Sequence, residues 1–107
     1  MDLISEPSVL QLYKKSFILE LLQTKIQEFY YNSQNQHKLS LLSLHPSNLA
    51  RQIEEDLIII DELIIGIERN VGCGNLKRAL HFLWILQDLI IQSQEQLNKL
   101  DYLELVG

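Results

Sequence analysis

Between Ile53 and Val71 the chain reads IEEDLIIIDELIIGIERNV. Ile53, Leu57, Ile60, Ile64, Ile67 and Val71 recur at steps of four and three, which gathers them on one face of an α-helix. The same spacing is that of a seam between helices packed nearly along one another. A helix with such a seam needs other helices to cover it, and the sequence on either side supplies them.

Upstream, Ser5-Glu6-Pro7-Ser8 offers capping hydroxyls and a proline suited to a first helical turn. Two adjoining apolar rows follow: Leu10, Tyr13, Phe17, Leu21 and Ile18, Leu22, Ile26, Phe29. They predict a first helix over about 8–33, fading at the polar stretch Asn32 to Gln36. The segment 37–44, HKLSLLSL, reads as a short extra helix or an apolar loop. His45-Pro46-Ser47-Asn48 then marks a helix start, because proline bars the helical region before it and suits the position after. The second helix is expected over about 47–70. Val71-Gly72-Cys73-Gly74-Asn75 closes it and opens a third over about 75–100, which carries Leu76, Ala79, Leu83, Leu86, Ile90, Leu97 and Leu100 near one face. So short a turn makes these two helices antiparallel neighbours. The expected fold is all-α: an antiparallel bundle of three long helices in a single domain, 1–107.

Charge narrows the functional classes. The net charge is −5, and the nine basic residues are scattered, which argues against nucleic-acid binding and against anionic membrane surfaces. The longest uninterrupted apolar run, Phe82 to Leu86, is far too short to span a bilayer. The N-terminus lacks the pattern of a secretory signal, and one cysteine, Cys73, excludes an internal disulfide. A soluble cytoplasmic protein is the expectation.

The apolar surface exceeds what one seam requires. On a helical wheel the seam of the second helix and Leu63 fill a sector of roughly 120°. Ile58 and Ile65 fall nearly opposite, seven residues apart, among Glu54, Asp61, Glu62, Glu68 and Arg69. The third helix has Trp84 and Ile91, also seven apart, on the shoulder of a wide stripe. Chain segments 37–44 or the tail after Leu100 are one possible cover, and a protein partner is the other. Ile58, Ile65, Trp84 and Ile91 are therefore the expected partner-binding anchors, with Glu54, Asp61, Glu62 and Glu68 as an acidic rim that favours basic flanks.

Catalytic and metal chemistry find little support. Glu54, Asp61 and Glu68 are spaced two turns apart, roughly 10 Å, too far to share an ion unaided. No E-x-x-E or E-x-x-H motif occurs, and His37, His45, His81 and Cys73 lack ligand spacing. Gly72-Cys73-Gly74 follows a helix and lacks the third glycine of a phosphate loop. No metal, cofactor or small-molecule substrate is expected. The expected function is a non-enzymatic adaptor or chaperone-like subunit, hetero-oligomeric in preference to homo-oligomeric. A homo-oligomeric structural bundle and, more remotely, a carboxylate-based metal enzyme are the alternatives.

Overall fold

The computed structural model describes residues 14–45 and 47–106. Its helices are α1 (Lys15–Tyr30), α2 (Ser33–Leu41), α3 (Asn48–Gly72) and α4 (Leu76–Val106), with one 3₁₀ turn at Leu42–Leu44 between α2 and α3. The fold is an all-α bundle, as expected. Its core is the α3–α4 hairpin, the most extensive packing in the molecule, with α1 laid along it. The short dimension, 18 Å, suits two helix layers at an interaxial spacing of about 8–10 Å.

The turn of the hairpin is set by hydrogen bonding. The Gly74 amide donates to the Val71 carbonyl at 3.1 Å and the Asn75 amide to the Asn70 carbonyl at 2.8 Å. This is a Schellman closure, which requires a left-handed residue after the helix. Gly74 supplies it with φ +81, whereas Gly72 is still helical. At the other end of α3 the Ser47 side chain accepts from the Ala50 amide at 3.1 Å, capping the helix where the sequence places a start.

The seam of α3 is the core. Ile53, Ile60, Ile67 and Val71 are buried, and Leu57 and Ile64 pack against them. Across the hairpin Ala79, Leu83, Leu86, Ile90, Leu97 and Leu100 are buried. From α1 come Ile18, Leu22 and Phe29, with Leu21 and Ile26 at the margin. Leu10 and Tyr13 of the predicted first helix lie outside the described residues.

Helix boundaries depart from expectation in informative ways. The first helix ends at Tyr30, and the polar stretch at 32–36 starts a helix instead of only breaking one. Asn32 is the reason: its side chain accepts from the Gln34 and Asn35 amides at 2.9 and 3.2 Å, a turn-forming bond available to asparagine. Asn35 is then buried, and its amide is matched with that of Gln94 on α4. Asn35 Nδ2 donates to Gln94 Oε1 at 2.6 Å and to the Phe29 carbonyl at 2.9 Å, while Gln94 Nε2 donates back to Asn35 Oδ1 at 3.1 Å. Leu42 is buried, and the 3₁₀ turn packs on α3. The last helix runs on to Val106, beyond the expected end near 100.

Candidate functional site

The outward faces of α3 and α4 hold the candidate site. Ile58, Ile65, Trp84 and Ile91 are between 47 and 61 % exposed. Segment 37–44 packs elsewhere, so it leaves them uncovered among the described residues. Of the acidic rim, Asp61, Glu62 and Glu68 are exposed and Glu54 half-buried.

The position of α1 decides how these residues are grouped. Tyr30, near the end of α1, donates its hydroxyl to Asp61 Oδ1 at 3.0 Å. Phe29, stacked edge-on to Tyr30 with ring centroids 5.2 Å apart, lines a shallow surface hollow with Ile90, Ile91 and Gln94 of α4. Helix α1 thus rests on the hairpin between Asp61 on one side and Ile91 on the other. On the wheel Ile58 and Ile65 lie within roughly 60° of Asp61, and Trp84 within roughly 20° of Ile91, which sets the first pair on the α3 side of α1 and the second on the α4 side. The two predicted pairs are both exposed but stand on different shoulders of α1. Tyr31, the other half of the tyrosine pair, is exposed.

The fold also perturbs the ionisation of Tyr30. Burial, then the charge of Asp61, then the hydrogen bond to that carboxylate all hold the phenol neutral and push its pKa far above the ordinary tyrosine value. Asp61 is therefore tied into the bundle, a contact that rim acids do not ordinarily make.

A third apolar group lies outside both predicted pairs. A methyl placed on Gly66 would stand 3.3 Å from Phe82 Cδ2, so Gly66 faces Phe82 across the antiparallel hairpin. Counting outward from that pair sets Leu63 level with Ile85 and Ile59 level with Leu89. Ile59 and Ile85 are 46 and 42 % exposed, and Leu63, Phe82 and Leu89 are half-buried. On the wheel these positions lie roughly 120° or more from Asp61 on α3 and from Ile91 on α4, so they form the reverse of the hairpin, away from α1. The signal was present: Ile59 shares a heptad row with Gly66, as Phe82 does with Leu89. It becomes legible only once the hairpin register is known.

The reverse seam continues into polar residues. Asp56 is buried; one carboxylate oxygen accepts from Gln52 Nε2 at 3.1 Å, and the other has no hydrogen-bond partner among the described residues. By the same register Ser93 and Gln96 lie at this level on α4, and each has a buried oxygen without a partner. Among the described residues no three histidine, cysteine or acidic side chains are grouped to hold a metal. Among the same residues no helix is long and apolar enough to cross a membrane.

Comparison with protein-family models, with curated proteins and with solved structures finds no match to this chain. The residues themselves carry the functional argument.

Proposed function

We propose that this protein is a non-enzymatic interaction protein, an acidic adaptor or chaperone-like subunit that works within a protein complex. The observation behind this reading is the apolar surface of the two best-packed helices. Ile58, Ile59, Ile65, Trp84, Ile85 and Ile91 are all 42–61 % exposed. Complete burial of such a side chain is worth roughly 1.5–3 kcal/mol, so half-exposure forgoes about 1 kcal/mol at each. Six together approach the lower end of the roughly 5–15 kcal/mol net stability of a small domain. A bound partner recovers that energy by covering them, as helices laid into apolar grooves do.

The charge supports a heteromeric partner. The segment from Ser47 to Asn70 holds six acids and two bases, so a partner with basic flanks gains attraction where a second acidic copy meets repulsion. The test is purification of the chain from its native source with its bound protein, repeated with the double variant Trp84→Ala, Ile65→Asp. Loss of the bound protein with unchanged helical circular dichroism is expected. Global unfolding of the variant would place these side chains in the core and defeat the reading. A sharp, metal-indifferent monomer by light scattering, with nothing bound in the native source, would defeat it as well.

A further inference from the structure

We propose that the reverse face of the α3–α4 hairpin is a docking groove for a basic amphipathic helix of another protein, centred on Ile59 and Ile85. This rests on the reading of the chain as an interaction protein, but it names a different surface and the chemistry of its occupant. Helix α1 covers one side of the hairpin. The other presents Ile59, Leu63, Phe82, Ile85 and Leu89 in facing pairs, with Gly66 opposite Phe82. Two antiparallel helices with apolar residues at their shared margin form a shallow trough along the hairpin, the shape that receives a third helix.

Charge selects the occupant. Glu55 and Glu62 stand at i−4 and i+3 from Ile59 and so flank it on the outer edge of the trough. Both are exposed, and neither makes an ion pair among the described residues. The floor, from Gln52 and Asp56 to Ser93 and Gln96, contains no lysine or arginine. Asp88 stands on the α4 edge, and the bases Arg69 and Arg78 lie only at the turn end, beyond Gly66 and Phe82. A second copy would bring another −5 and the same acidic α3. A helix with leucine-like residues at i, i+3, i+4 and i+7 and lysines beside them fills the trough and neutralises its edge.

The experiment is fluorescence anisotropy of dye-labelled peptides of about 18 residues, five helical turns. One carries leucines at that spacing with flanking lysines; the other carries glutamates in their place. The intact chain is expected to bind the lysine peptide, and roughly tenfold or more weaker in high salt, where exposed charges are screened. It is expected to bind the glutamate peptide far less. Ile59→Asp with Ile85→Asp should weaken the lysine peptide by roughly tenfold or more. Both side chains are part-exposed, and circular dichroism checks that the variant folds. Glu55→Lys with Glu62→Lys, which leaves the apolar floor intact, should invert the preference between the peptides. Four results overturn the proposal. Weakening by Ile58→Asp with Ile65→Asp, but not by Ile59→Asp with Ile85→Asp, moves docking to the α3 shoulder and leaves the interaction-protein reading standing. A wild-type dimer that Ile59→Asp dissociates makes the occupant a second copy. Binding that needs prior removal of residues 1–13 makes it the chain's own segment. No binding of either peptide removes the groove, while partner co-purification tests the broader reading by itself.

Discussion

Asn35 is expected to be the polar residue on which the corner between α1, α2 and α4 depends. It is 2 % exposed, and its side chain makes three hydrogen bonds: to the Phe29 carbonyl and, in both directions, with the Gln94 amide. Truncation in Asn35→Ala removes all three. The Phe29 carbonyl, at the end of a helix where no intrahelical donor reaches it, is then left unpaired in a buried setting, at a cost of about 1–3 kcal/mol. The Gln94 amide is only part-buried and regains water, so its share is about 1 kcal/mol. Alanine is a better helix former than asparagine, which returns roughly half a kcal/mol. The net expectation is a loss of about 2–3 kcal/mol. Urea denaturation followed by circular dichroism should show a lower midpoint with an unchanged slope, because the surface exposed on unfolding hardly changes. A double-mutant cycle with Gln94→Ala isolates the amide pair and should return a coupling of about 1 kcal/mol. A loss below about 0.5 kcal/mol for Asn35→Ala, or no coupling to Gln94, would refute the claim that this corner is held by the amide network.

Asp56 should behave in the opposite sense: one of its oxygens is buried without a partner, and its Gln52 donor is exposed and can return to water. Asp56→Leu is expected to raise the urea midpoint by about 1–2 kcal/mol equivalent, and a destabilisation would show that the carboxylate has a partner in solution. Tyr30 makes stability pH-dependent at the alkaline end. The folded state holds the phenolic proton more tightly than the unfolded chain, whose ordinary value is 10.0, so the contribution is complete below that pH and is lost as pH rises above it. Tyr30→Phe should cost about 1 kcal/mol at neutral pH and flatten the alkaline decline, read by thermal melts across pH. The glycines should part company. Gly74→Ala, at φ +81, is expected to lose about 1 kcal/mol by chemical denaturation. Gly66→Ala meets only the edge of Phe82, which can swing toward the open face, so the helix-propensity gain of up to about 1 kcal/mol should prevail.

The sequence determined everything that depends on neighbours along the chain. The four-and-three spacing from Ile53 to Val71 fixed a helix and its buried face, because side-chain direction in a helix follows from residue number alone. Ser47 and Gly74 set the ends of α3 through bonds that span only a few residues. The exposure of Ile58, Ile65, Trp84 and Ile91 was legible for the same reason: they fall outside the seams. The boundary near Asn32 was misread because asparagine has two roles that sequence does not separate, breaking one helix and capping the next. Only the tertiary structure decided which sides of the hairpin stay open. That depends on where α1 settles, which Tyr30 with Asp61 and Asn35 with Gln94 specify across 31 and 59 residues of chain. It also depends on the register of α3 against α4, which sets Ile59 and Ile85 into one trough. Such pairings join residues distant in sequence, and no local periodicity encodes which of two apolar margins a third helix will cover.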